Sequence, residues 1–293
     1  MSILVTGATG PLGSAVVKTL LAKTDAANIS ILARSEEKAA GLKAQGVKVN
    51  IGDYNDYASL VAAFKGVDKV YLVSGNDIPN RIPQHENVIN AAKEAGVKHV
   101  LYTSTVRKNE TSSSPIFFIE AAHLDTENKL KASGLKYTIL QHSLYADVIP
   151  VFAGDHLLQS HTLAFPAAEG KTTFALREEL GEAGANLLLD NSGKYENKSI
   201  ALTGSTNVTW GEIAAAISEI TGRQIAYVSP AHDEYIAALN KAGVPEIFVQ
   251  MLSGFGAAIE QGEFDQVSPE LESILGRKPA PFTDLLKAVY GKK

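Results

Sequence analysis

Short apolar runs alternate with helical stretches through the first half of the chain. Ile3 to Thr6 is a brief apolar, β-branched run, and Pro11 to Lys23 places Leu12, Val16, Val17, Leu20 and Leu21 on one helical side. The same alternation continues with strands at Ile29 to Ala33, Val47 to Ile51, Lys69 to Val73, Val97 to Thr103 and Leu135 to Leu140. Between them lie helices at Glu36 to Gln45, about Tyr57 to Phe64, Gln84 to Ala95 and Ala121 to Ala132, the last two closed by Gly96 and Gly134. Each strand is short and apolar on both faces, which marks a parallel sheet covered by helices on each side. Right-handed crossovers then leave a doubly wound, mostly parallel Rossmann sheet in the α/β class.

The second half is less regular. It predicts a strand at Ile200 to Thr203, then a helix capped by Thr209 and running to Thr221, with Glu212 at the capping-box position. A short strand at Gln224 to Val228, helices at Ala231 to Ala242 and Glu246 to Glu260, and a last helix after Pro281 complete a smaller α+β lobe. The expected division is residues 1–148 with about 171–205 for the sheet domain, and about 149–170 with 206–293 for the smaller lobe. The polar stretch Lys108 to Pro115 follows a strand end and reads as a mobile flap.

Composition narrows the function. With 27 Lys and Arg against 32 Asp and Glu, the net charge of −5 argues against nucleic acid as a partner. No apolar run is long enough to cross a bilayer. The chain has no cysteine, which excludes disulfides and thiolate chemistry. The absence suits a reducing cytoplasm, and the start MSILVTGATG has no basic leader, so the expected location is cytoplasmic.

The strongest motif is Gly7-Ala8-Thr9-Gly10-Pro11-Leu12-Gly13, between the first strand and the first helix. Gly7 permits the turn, Gly10 lets backbone amides approach a pyrophosphate, and Gly13 lets helix and strand pack closely. The helix N-terminus offers unpaired donors to phosphate. At the end of the second strand stands Arg34 rather than the acid that grips a ribose 2′-hydroxyl. A guanidinium there fits a 2′-phosphate, so the expected cofactor is NADP(H). Later strand ends extend the groove: Asp53 and Tyr54 for the adenine, Ser74, Gly75 and Asn76 for the ribose and phosphates, Thr103 and Ser104 near the nicotinamide. His142, Ser143, Leu144 and Tyr145 follow the sixth strand.

Several chemistries are missing. No tyrosine has a lysine four residues later, so the base that alcohol oxidation and sugar epimerisation need is absent. No nucleophile elbow or P-loop occurs. His156 and His161 are five apart, off one helical face, so no metal site is expected.

The residues TGATGPLG, Arg34, PQHENVINAAKEAGVKHVLYTS and KYTILQHSLY resemble the NmrA-like, atypical short-chain dehydrogenase/reductase family, in particular its bacterial NADPH:quinone oxidoreductase (type 2) and triphenylmethane reductase groups. The resemblance implies a two-lobed NADP(H) protein with its substrate between the lobes and no Tyr-Lys pair. It carries cofactor contacts onto the glycine loop, Arg34, Ser74 to Asn76, His142 to Tyr145, and Arg177. Departures occur where relatives read L-R-N and this chain reads Leu140-Gln141-His142, and at Glu179-Leu180-Gly181, where they carry an acid, an aromatic and an alanine.

The reading that follows is flavin-free hydride transfer from NADPH to a quinone-like or dye-like acceptor. Ser104, His142 and Tyr145 are the candidate catalytic residues, and Phe117, Phe118 and Tyr145 the candidate cleft wall. The expected partners are a small aromatic substrate and a second copy of the chain. The alternative is an NADP(H)-sensing regulator acting through a protein partner.

Overall fold

The computed structural model describes residues 1–291. The strands in chain order are β1 (Ile3–Val5), β2 (Ile29–Ala33), β3 (Lys48–Ile51), β4 (Lys69–Leu72), β5 (His99–Thr105) and β6 (Lys136–His142), then β7 (Leu144–Tyr145), β8 (Thr162–Ala164), β9 (Lys171–Ala175), β10 (Lys198–Leu202), β11 (Asn207–Thr209) and β12 (Ala226–Val228). The helices are α1 (Pro11–Lys23), α2 (Glu36–Ala44), α3 (Tyr57–Phe64), α4 (Arg81–Glu94), α5 (Phe117–Ala132), α6 (Ile149–Ala153) and α7 (Leu157–Ser160), then α8 (Arg177–Leu189), α9 (Trp210–Thr221), α10 (His232–Lys241), α11 (Glu246–Glu260), α12 (Glu270–Leu275) and α13 (Phe282–Tyr290).

Seven parallel strands form the main sheet in the order β10-β6-β5-β4-β1-β2-β3. Strand order reverses between β1 and β4, and a doubly wound sheet opens its ligand crevice at such a point. Both faces are covered. Val5, Tyr71, Leu101 and Leu140 pack with α1 and α8, whereas Leu4, Val70, Val100 and Tyr102 pack with α3 and α4. A separate apolar cluster, centred on Trp210, Phe152 and Phe165, joins α6, α9 and α11 around the small sheets β11-β9-β7 and β12-β8. The doubly wound sheet and the smaller α+β lobe are therefore as expected.

The cap of α9 is also as read: Thr209 Oγ1 accepts from Glu212 N–H at 3.2 Å, and the Glu212 carboxylate accepts from Thr209 N–H at 2.7 Å. Other boundaries differ. Helix α4 starts at Arg81 rather than Gln84, because Pro83 lies in the first turn, where a missing N–H does no harm. Helix α5 starts at Phe117 rather than Ala121, since Ile116 gives no side-chain cap to signal it. The strand read as Val97 to Thr103 runs from His99 to Thr105, because Val97 N–H turns back to the Ala92 carbonyl at 2.9 Å and closes α4.

Helix α8 shows in the sequence only through the family match at Glu179-Leu180-Gly181, not through a helical pattern of apolar residues. Its glycines break the helical signal, and the packing explains them. A Cβ on Gly181 would lie 2.5 Å from Ala15 Cβ of α1, and one on Gly184 would lie 2.7 Å from the Tyr71 hydroxyl. Those contacts let α8 sit flush on α1 and on the sheet. Gly181→Leu should therefore lower the unfolding free energy by about 1–3 kcal/mol through overpacking, read as a fall in the urea midpoint. An unchanged midpoint would contradict the close approach of α1 and α8.

Candidate active site at the carboxyl edge of the sheet

The chain leaves β1 through Thr6 and turns at Gly7, whose φ of +59° suits a residue without a Cβ. Gly10 N–H donates to the Gly7 carbonyl at 2.9 Å and closes the turn. A Cβ on Gly13 would stand 2.3 Å from the same carbonyl oxygen, so only glycine fits. Gly10 is the N-cap and supplies no side-chain acceptor, and Pro11 occupies the first helical position. Among the described residues, the amides of Leu12 and Gly13 have no backbone partner. Thr9 and Pro11 are exposed beside them. The result is a bare helix N-terminus with free donors, which fits a pyrophosphate.

At the end of β2, Arg34 is exposed and has no ion-pair partner among the described residues. Its charge is free for an anion. After β3, Asp53 closes its own turn: Oδ1 accepts from Asn55 N–H and Nδ2 at 2.8 and 2.9 Å. Tyr54 also turns inward. Its hydroxyl lies 2.5 Å from Thr6 Oγ1 and 2.8 Å from the Val73 carbonyl, and burial raises its pKa. Both residues are expected at the adenine; the Tyr54 hydroxyl ties the ends of β1 and β4 to the loop after β3, while the Asp53 carboxylate holds its own turn.

The loop after β4 is held from below. Ser74 N–H donates to Thr103 Oγ1 at 2.9 Å, and Gly75 N–H donates to His85 Nε2 at 3.0 Å. Thr103 thus acts on the loop rather than reaching outward. Ser74 Oγ is buried on the side of the Tyr102 hydroxyl, and Asn76 is exposed. His85 had no role in the sequence reading. Its signal was a cluster of polar residues in the first turns of a helix following a strand, at Gln84, His85 and Asn87.

The structure turns Ser104 away from the expected acceptor. Strand alternation points it toward α5, where it is 3% exposed and donates to Glu127 Oε1 at 2.5 Å. Arg107 Nη1 reaches the same carboxylate oxygen at 2.8 Å. His142, at the end of β6, is buried. Its Nδ1 lies 3.3 Å from the Tyr145 hydroxyl, and its Nε2 has no partner among the described residues. Burial pushes the His142 pKa down to about 3, so the ring is neutral at pH 7. Ser143 Oγ is likewise unpartnered, while Ser143 N–H donates to the Leu202 carbonyl at 3.0 Å. Leu144 begins β7 and packs into the small lobe's apolar cluster.

Arg177, expected at the cofactor, is paired with Asp147. Its guanidinium also lies 4.2 Å from the centre of the Tyr145 ring, a cation–π arrangement. Burial pushes the Tyr145 phenol up to about 12, with Arg177 opposing. Phe117 and Phe118 are half-buried in the first turn of α5, and Phe118 faces Gly254 of α11. The segment expected as a flap is pinned: the Glu263 carboxylate accepts from Lys108 N–H at 2.7 Å and from Asn109 N–H at 2.9 Å.

These strand ends converge on one edge. A glycine turn with free amides, an unpaired arginine and partnerless buried atoms at the end of β6 lie along it. A model of the NmrA-like family matches residues 1–283 of the chain. The chain belongs to the NmrA-like family. Among its relatives is quinone oxidoreductase 2 of Escherichia coli K12, 33% identical over 98% of this chain and 97% of that one. Two solved structures superpose closely. An NADPH-dependent quinone oxidoreductase from Escherichia coli, complexed with NADPH, has a TM-score of 0.92 at 31% identity, covering 99% of this chain and 100% of that one. The triphenylmethane reductase of Citrobacter sp., complexed with NADP(H), has a TM-score of 0.89 at 36% identity, covering 98% and 99%.

One further group at this edge is electrostatically unusual for the NmrA-like chain. Glu120 of α5 is fully buried, accepts from Ser114 Oγ at 2.9 Å and leaves Oε1 without a partner among the described residues. Burial, with Glu263 and Glu110 nearby, raises its pKa to about 7 against the opposing pull of Ser114 and Arg107. The folded carboxyl thus holds its proton where the unfolded one has lost it. The contribution of this group to stability is greatest below the unfolded value of 4.5, is lost as pH rises toward about 7, and stays absent above it. Glu120→Gln should flatten that slope and stabilise the protein at pH 8 by about 2–3 kcal/mol. Parallel pH–stability curves for the two proteins would contradict this.

Proposed function

We propose that the chain is an NADPH-dependent reductase that passes hydride to a quinone-like or dye-like acceptor in a cleft between its two lobes. We place those lobes at residues 1–148 with about 171–205, and about 149–170 with 206–293. The observation that carries the reading is the run of unpartnered polar groups along the carboxyl edge of the sheet, from the Leu12 and Gly13 amides to His142 Nε2 and Ser143 Oγ. Buried polar atoms without partners are costly, and a bound polar molecule is what satisfies them. The relatives named for quinone and triphenylmethane reduction support the substrate class.

NADPH, when bound, supplies a hydride from its nicotinamide ring, and a quinone takes it without a flavin because the charge delocalises onto oxygen. The chain's own work is binding, orientation and exclusion of water. The Leu12 and Gly13 amides and the positive end of α1 hold the pyrophosphate. Arg34 holds the 2′-phosphate. Ser74, Asn76 and Ser143 take the remaining polar groups. Neutral His142, accepting from the Tyr145 hydroxyl at Nδ1, presents an Nε2–H donor to the acceptor's oxygen. Tyr145, stiffened by Arg177, and the half-buried Phe117 and Phe118 are the aromatic side chains assigned to the cleft wall. In solution we propose a cytoplasmic homodimer, a setting that suits a chain without cysteine.

Purified protein should consume NADPH when menadione or a triphenylmethane dye is added. No consumption across panels of small quinones, azo dyes and triphenylmethane dyes would reject the proposal. Replacing Arg34 by alanine should raise the NADPH dissociation constant by on the order of tenfold to a hundredfold while leaving that for NADH unchanged. Equal losses for the two nucleotides would remove the 2′-phosphate role.

A further inference from the structure

The segment Gln84-His85-Glu86-Asn87 forms the second turn of α4, yet no part of the proposed reaction uses it. Its side chains reach both loops of the cofactor edge next to it. Gln84 Nε2 donates to Asn55 Oδ1 at 3.3 Å, after β3, and to Asp77 Oδ2 at 3.0 Å, after β4. Asn87 Nδ2 donates to the Tyr54 carbonyl at 2.9 Å. His85 alone takes hold of a backbone amide, that of Gly75.

The hydrogen-bond chain fixes the state of that imidazole. Thr126 Oγ1, on α5, donates to the Ala122 carbonyl at 2.6 Å, so toward His85 Nδ1, 2.9 Å away, it can only accept. Nδ1 therefore carries a proton. Nε2 accepts from Gly75 N–H at 3.0 Å and must be bare. Only the neutral Nδ1–H tautomer meets both demands. Thr103 Oγ1 holds the preceding amide, Ser74 N–H, at 2.9 Å. Two successive amides are thus drawn into the protein. This fixes the peptide planes of the loop, and with them where Ser74 Oγ and the Asn76 side chain stand.

We propose that His85 is a positioning residue for the dinucleotide: it sets the backbone of Ser74 to Asn76, and Thr126 sets its tautomer from a second helix. His85 is 0% exposed and reaches the ligand only through Gly75. The inference rests on the cofactor reading of this edge and adds how the edge is kept in shape.

The test compares His85→Phe and Thr126→Val with the wild-type protein, by calorimetric NADPH binding and by saturation kinetics with menadione. The first variant removes the acceptor for Gly75 N–H. The second leaves the loop contacts untouched but strands the Nδ1 proton, which frees the ring to turn an N–H toward Gly75. Each should raise the NADPH dissociation constant by about tenfold, with kcat at saturating NADPH held within about twofold. A merely structural role would lower the melting temperature and leave the binding constant alone. Nitrogen-15 NMR of the nucleotide-free wild-type protein should show His85 protonated at Nδ1 and bare at Nε2, a readout that needs no variant to fold. An Nε2–H tautomer, or a folded variant with wild-type NADPH affinity, would overturn the inference. A wild-type protein that does not bind NADPH would instead defeat the cofactor reading itself.

Discussion

The absence of a side chain at Gly13 is the constraint from which the rest follows. The helix begins so close to the turn after β1 that a single carbon there would stand 2.3 Å from the Gly7 carbonyl. That approach brings the first turn of α1 down onto the sheet edge with its amides pointing outward and unpartnered. A helix start of this kind normally takes a Ser, Thr, Asp or Asn cap. Here Gly10 leaves the position open, and an anion is the natural occupant. Every other element of the edge is arranged relative to this point: Arg34 beyond β2, the β4 loop beside it, and His142 and Ser143 further along.

Much of this was legible in the chain. The β-branched run before Gly7, the short apolar strands and the Thr209–Glu212 capping box depend on local rules, and local rules can be read locally. What could not be read depended on contacts across the fold. Helix α8 carries Gly181 and Gly184 because α1 and Tyr71 press against it, a requirement invisible without the packing. Arg177 matched a family position, but its partners Asp147 and Tyr145 come together only through the pairing of β7 with β9. Ser104 sat at a plausible strand end, and strand parity sent its hydroxyl to Glu127. The polar segment at 108–115 read as mobile because its anchor, Glu263, lies far along the chain.

The face of α5 turned toward the sheet explains how the fold does without a tyrosine–lysine pair. His123 places Nδ1 2.8 Å from the Tyr102 hydroxyl, Thr126 serves His85, and Glu127 binds Ser104 and Arg107. Burial holds His123 and His85 neutral. These side chains satisfy one another, as buried polar groups must. They hold one another in place, and the unpartnered polar atoms assigned to the cofactor come from strand ends instead. That division suits a reaction in which placement of two rings, rather than removal of a proton from the substrate, sets the rate.

The most direct test of the whole account is amide mapping of the protein as NADPH is added. The account predicts the largest resonance shifts at Leu12, Gly13, Ser74, Gly75, Asn76 and Ser143, in one saturable process. Saturable shifts confined to other surfaces, with the Leu12 and Gly13 amides unmoved, would contradict it.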